Sequence, residues 1–155
     1  MSRTRFDQTP CSVAQTLEQV GDWWTLLIVR DAFFGMTRFA EFQEDLGISK
    51  AVLTDRLGRL VSHGIFDKER LHEPGARYAY RLTRKGRDLW VLLTAMRLWA
   101  DKWVHGEGGE PLLAQEVGSG RVVRKLVATD EHGERIDMRR VQWALGPGSA
   151  PDLCP

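Results

Sequence analysis

Cys11 is the residue of this 155-residue chain best suited to covalent chemistry. It stands directly before "SVAQTLEQVG", where the spacing of Val13, Leu17 and Val20 predicts a short helix opened by Cys11 or Ser12 and ended by Gly21. A thiol at a helix start has its thiolate favoured by the helix dipole, which makes it a candidate redox-sensing nucleophile. The competing reading is a small buried hydrophobe, the ordinary fate of a free cysteine. Cys154 lies near the opposite end of the chain. A single end-to-end staple has no use in a reducing compartment, so no structural disulfide is expected. His63, His72, His105 and His132 are scattered and form no ligand cluster, so neither a metal nor another cofactor is expected. There is no Gly-rich phosphate loop, no pair of catalytic carboxylates and no nucleophile beside a base; an enzyme is not expected.

A second chemistry, hydrogen bonding to base edges, is carried by "GISKAVLTDRLGRLVSHG", residues 47–64. Leu53, Leu57 and Leu60 recur at helical spacing and fix a buried face, with Ser49 as the cap and Gly64 as the stop. Lys50, Ala51, Thr54 and Asp55 then fall on the exposed N-terminal part, the end of such a helix that meets bases. Lys50 suits guanine, Ala51 or Thr54 a thymine methyl, and Asp55 the amino group of cytosine. Solvated surface is the competing reading for each. Ser49 can also offer its hydroxyl to a phosphate, and Arg59 and Arg38 suit phosphates. Arg56 is divided between DNA and an internal salt bridge.

Other elements must hold that helix in place. Asp22 is read as the cap of "WWTLLIVRDAFFG", apolar nearly all round and therefore buried on most sides. Thr37 is read as the cap of "RFAEFQEDL", whose Phe39, Phe42 and Leu46 form one stripe. Only Gly47-Ile48 separates this helix from the next, with Ile48 turned inward. After Gly64 the period changes to that of strands: "IFDKERL" and "RYAYRL" flank the turn-like "HEPGA". Tyr78, Tyr80 and Leu82 should form an apolar face and Arg77, Ala79 and Arg81 a basic one. The net charge of the chain is only +1, yet residues 67–87 hold seven Lys and Arg against three acids, a local footprint that a polyanion would read. Arg77, Arg70, His72 and Arg81 are the ribbon residues expected to meet DNA. Thr83 caps a long last helix from about Arg84 to His105. Its aromatic surface exceeds what one side can bury. Trp90, Leu93, Met96, Trp99 and Trp103, with Val13 and Leu17 of the first helix, are therefore expected at a homodimer interface, the alternative being cover by the C-terminal segment. "GRVVRKLVAT", "DEHGE" and "RIDMRRVQWALG" read as a small β-hairpin, and "PGSAPDLCP" as a loose tail.

The order helix, helix, helix-turn-helix, basic ribbon, helix is that of a winged helix. "GDWWTLLIVRD", "RFAEF", "GISKAVLTDRL" and "YRLTRKGRDL", together with Cys11, resemble the HxlR family of bacterial regulators over roughly residues 8–105. The resemblance implies a homodimeric, MarR-like transcription factor on a palindromic double-stranded operator, here read as a repressor. It also implies that Cys11 answers oxidants or electrophiles, although "CSV" stands where the family usually has Cys-Pro. "ATDEHGERIDMRRV" sits where some relatives carry a cysteine-paired zinc module, but Thr129 and His132 occupy the places such a pair needs. The expected class is α+β: a winged helix-turn-helix domain with a long C-terminal dimerisation helix over 8–106, and a small β-rich extension over 107–155. The alternative function is a winged-helix module that binds protein or ligand without operator recognition. The aromatic surface around Trp23, Trp24, Trp90 and Trp99 offers room for a small apolar effector. No apolar run is long enough to span a bilayer, and "MSRTRFDQTP" lacks the apolar core of a signal peptide; no membrane partner and a cytoplasmic location are expected.

Overall fold

The computed structural model describes Phe6, residues 9–72 and residues 77–148. Cys154, most of the tail read as loose, and the Pro-Gly turn of the ribbon lie outside the described residues. The chain divides into two compact units, residues 1–90 and 91–155, a division earlier than the expected boundary after residue 106.

In the first unit, helix α1 (Ser12–Val20) follows Cys11 in an extended conformation, and the Gly21 N–H closes it on the Leu17 carbonyl at 2.8 Å. Helix α2 (Trp23–Phe33) starts as expected at Asp22, whose carboxylate accepts the Trp24 N–H at 3.0 Å. Its inner side buries Thr25, Ile28, Val29 and Asp31, while Trp23 is largely exposed. Helix α3 (Phe39–Leu46) is capped at Arg38, one residue later than Thr37. The reason is Glu41, whose carboxylate reaches back to accept the N–H groups of both Thr37 (2.7 Å) and Arg38 (2.8 Å).

Gly47 closes α3 at φ +62°, a conformation that costs a residue with a Cβ about 1–2 kcal/mol. The turn it permits puts Ile48 inside and hands the chain to helix α4 (Lys50–Ser62). Ser49 caps α4 by accepting the Val52 N–H at 3.3 Å. Leu53, Leu57 and Leu60 are all buried, with Phe42, Ile28, Val29, Ile65 and Phe66 among the other core residues. Each such side chain contributes roughly 1.5–3 kcal/mol by leaving water.

Strands β1 (Phe66–Arg70) and β2 (Tyr78–Leu82) pair antiparallel, with Phe66 opposite Leu82 and Arg70 opposite Tyr78. Alternation predicts that Ala79 faces outward, but it is buried. The segment before α3 runs along the other side of β2, bridging Arg38 to Ala79, and the Tyr80 N–H donates to the Thr37 carbonyl at 2.7 Å. A strand paired on both sides has no free edge there.

The expected long last helix is two helices. Helix α5 (Arg84–Asp88) begins at Thr83, whose hydroxyl accepts the Gly86 N–H, and ends at a turn through Leu89. Gly86 is held so close to the residue preceding β1 that a Cβ would lie 2.3 Å from the Ile65 carbonyl oxygen. Helix α6 (Trp90–Ala100) follows, ending in a wide π turn over Asp101–His105.

In the second unit the expected hairpin is reduced to isolated bridges, Gln115 with Val122 and Thr129 with Arg135. The turn at Asp130–Glu134 does form: Asp130 Oδ1 accepts the N–H groups of His132 and Glu134, and Ile136 donates to Ala128 at 3.0 Å. Most of the side chains beside it are exposed, so little apolar burial favours extending the ladder. Arg97 of α6 does the organising instead. Its guanidinium pairs with Asp101 and donates to the Val123 carbonyl at 2.9 Å and, at longer range, to that of Leu112.

Candidate nucleic-acid interface

Capping and the leucine face fix the rotation of α4, and that rotation exposes Ser49, Lys50, Ala51, Thr54 and Asp55 together on its first two turns. The Lys50 side chain makes no ion pair or hydrogen bond among the described residues. Ser49 keeps an exposed side chain while its Oγ serves the cap. Asp55 is paired with its neighbour Arg56.

The arginines of this helix are committed inward. Arg56 donates from Nε and Nη2 to the two carboxylate oxygens of Asp22, both at 2.9 Å. Arg59, expected to meet a phosphate, is half-buried and donates to the Glu18 carbonyl at 3.2 Å. One ties the middle of α4 to the start of α2, the other ties it to the end of α1. Arg38, at the head of α3, is half-buried beside β2.

On the ribbon, register corrects the expectation of one apolar and one basic face. Opposed residues share a face. Arg81 therefore lies across from Asp67 and reaches Glu69 at 3.1 Å, so its charge is met by acids on its own side. The tyrosine side carries the cations: Lys68 opposes Tyr80 and Arg70 opposes Tyr78. Lys68 Nζ sits 4.0 Å above the Tyr78 ring, a cation–π contact that holds it over that face. Arg70, His72 and Arg77 are exposed. Lys68 was not singled out in the sequence; the pairing of "FDKER" with "YAYRL" is the signal that marks it. Lys85 and Arg87, counted in the basic stretch, are spent on Gln19, on the His63 carbonyl and on the Leu82 carbonyl.

Helix α2 holds a buried charged group that periodicity does not reveal. Asp31 is completely buried. Arg30 donates to it at 2.7 Å and also reaches Asp45 of α3 at 3.0 Å. Burial pushes the Asp31 carboxyl upward, against the lowering effect of Arg30. Glu41 is held below its ordinary range by the backbone N–H groups of Thr37 and Arg38.

Away from this face, Cys11 is a free, exposed thiol rather than a buried hydrophobe. Val13, Leu17, Trp90, Met96, Trp99 and Trp103 are exposed and Leu93 is half-buried. Trp90 meets Phe33 edge-on with ring centroids 5.6 Å apart. A cavity of about 140 Å³ is lined by Thr16, Gln19, Val20, Ile65, Lys85 and Leu89, with none of the tryptophans named for an effector. No group of three or more His, Cys, Asp or Glu side chains among the described residues is arranged to hold a metal ion. No described helix is long and apolar enough to cross a membrane.

A family model described as HxlR-like helix-turn-helix matches residues 19–107. An uncharacterised HTH-type transcriptional regulator of Mycobacterium tuberculosis is 37% identical over 137 residues, covering 88% of this chain and 87% of its own. The crystal structure of PA1607, a candidate transcription factor, superposes with a TM-score of 0.81 at 38% identity, over 91% of this chain and 99% of that one. The redox regulator HypR in its oxidised form has a TM-score of 0.54 at 31% identity, over 58% of this chain and 94% of HypR.

Proposed function

The chain belongs to the HxlR-like helix-turn-helix family and is a transcriptional regulator of that type; from this premise we propose that it is a homodimer that binds a palindromic DNA operator and represses transcription from it. The observation that carries this reading is the exposed cluster Ser49, Lys50, Ala51, Thr54 and Asp55 on a helix whose own arginines are locked inward. Such a helix offers short side chains to base edges on a rigid mount, the requirement for direct readout in a major groove. Lys68, Arg70, His72 and Arg77 flank it as backbone contacts.

The dimer reading rests on apolar surface. Trp90, Val91, Met96, Trp99, Trp103 and Val104 leave more of it in water than a lone chain ordinarily tolerates, and a partner copy would cover it. Two helices related by a two-fold axis would then read two half-sites. Exposure of Cys11 at the mouth of α1 supports a thiol sensor, as does the likeness to a redox regulator. If Cys11→Ser leaves release of DNA by diamide or methylglyoxal unchanged, the thiol is structural. The reading as a whole is tested by gel shift on DNA from upstream of its own gene at fixed salt. A retarded, sequence-dependent complex is expected. Equal retention of unrelated duplexes at moderate salt would leave a module without operator recognition.

A further inference from the structure

Asp55 is an unusual residue to find beside Lys50 and Thr54 on a DNA-facing surface, because a bare carboxylate is repelled by the phosphates on both sides of a groove. Its surroundings account for it. Arg56 Nη1 donates to Asp55 Oδ2, while Arg56 Nε and Nη2 are both consumed by Asp22. Asp22 is itself fixed, since the same carboxylate caps α2 through the Trp24 N–H. The result is a relay from the start of α2, through a largely buried guanidinium, to a carboxylate more than half exposed on the reading face of α4.

Resting on the operator reading above, we propose that Asp55 is the specificity-determining acceptor of this helix, and that Arg56 and Asp22 are the residues that position it. Three consequences follow from the geometry. The guanidinium, shared with Asp22, offsets part of the carboxylate charge and so lowers the electrostatic cost of bringing Asp55 to DNA. The ion pair also restrains the side chain before binding, so less rotamer freedom is lost on contact. Finally, only Oδ2 is engaged by Arg56, which leaves Oδ1 as an acceptor with no donor among the described residues. A group that can accept but not donate requires a base amino group in the major groove, cytosine N4 or adenine N6, and disfavours guanine and thymine at that step. Arg56 is not the reader itself, because each of its three nitrogens already bonds a carboxylate, which holds the guanidinium against Asp22 and Asp55.

The test is selection of bound duplexes from a random pool by the full-length chain, compared across Asp55→Ala, Asp55→Asn and Arg56→Gln, with thermal melts to confirm folding. The wild-type chain should enrich an amino-bearing base at one step of each half-site, preferred by about tenfold in direct titration. Asp55→Ala should lose that one preference and keep the others. Asp55→Asn, which can donate as well as accept, should move it toward adenine. Arg56→Gln should weaken the same step although residue 56 touches no base, a pattern that general loss of stability does not produce. Should Arg56→Gln fail to fold, Asp22→Asn replaces it, since asparagine also caps a helix. A wild-type preference unchanged by Asp55→Ala overturns this proposal alone. A wild-type chain that enriches no sequence overturns the operator reading, and this proposal with it.

Discussion

Two carboxylates that steady the helix pair respond to acid in opposite senses, because one is held by donors and the other by burial. Glu41 accepts two backbone N–H groups that stabilise its ionised form. Its contribution to stability is therefore complete above the unfolded carboxylate range and is lost as pH falls through its lowered folded value. Asp31 is buried and its folded value is raised, so acidification relieves a cost, and stability rises as pH falls through that value until it levels off below the unfolded one. Thermal melts at stepped pH should thus show wild type losing ground to Glu41→Gln in acid and gaining ground on Asp31→Asn; parallel curves would refute the assignment. The cations divide in a similar way. Arg70→Ala should lower the slope of log affinity against log salt by about two units, one from each copy, whereas Arg59→Ala should leave the slope unchanged, because Arg59 serves the Glu18 carbonyl. The spacing of Leu53, Leu57 and Leu60 is sufficient to place Lys50, Thr54 and Asp55 in solvent, and they are there. It carries no sign that Arg59 turns inward or that Arg56 spans to Asp22, because those bonds join residues far apart in the chain.

At the scale of elements, the helix-turn-helix and the ribbon are legible because each rests on local chemistry: Gly47 for the turn, Ser49 for the cap, alternation for the strands. What local pattern misses is set by tertiary contacts. Apolar periodicity runs through Leu89 without a mark, yet the regular helix is interrupted there, between α5 and α6. Alternation places Ala79 outside, but it is buried where the Arg38 segment pairs with β2. Gly86 is the residue through which α5 approaches the start of β1, since its missing Cβ is what admits the carbonyl of Ile65 just before it. Gly86→Ala should cost about 1–3 kcal/mol in denaturant unfolding of the full chain, because a backbone oxygen cannot step aside as a flexible side chain can. Wild-type stability in that variant would show that the approach is not close.

For the whole molecule, the hairpin expected after residue 106 does not form a ladder, and Arg97 takes over part of its work by bonding to backbone within that unit. Arg97→Met should expose residues 107–148 to limited proteolysis while residues 9–72 stay protected; equal protection of both would show that the extension holds itself. The central claim is that two copies of α4 read sequence, and its most direct test is a pair of binding isotherms. The full-length chain is titrated onto an enriched palindromic duplex and onto the same duplex with both half-sites scrambled, at about 150 mM salt, where condensed-ion effects are shared by the two. The account predicts affinities at least roughly a thousandfold apart, with two chains per enriched duplex. Equal affinities would contradict it, since charge alone would then explain the binding.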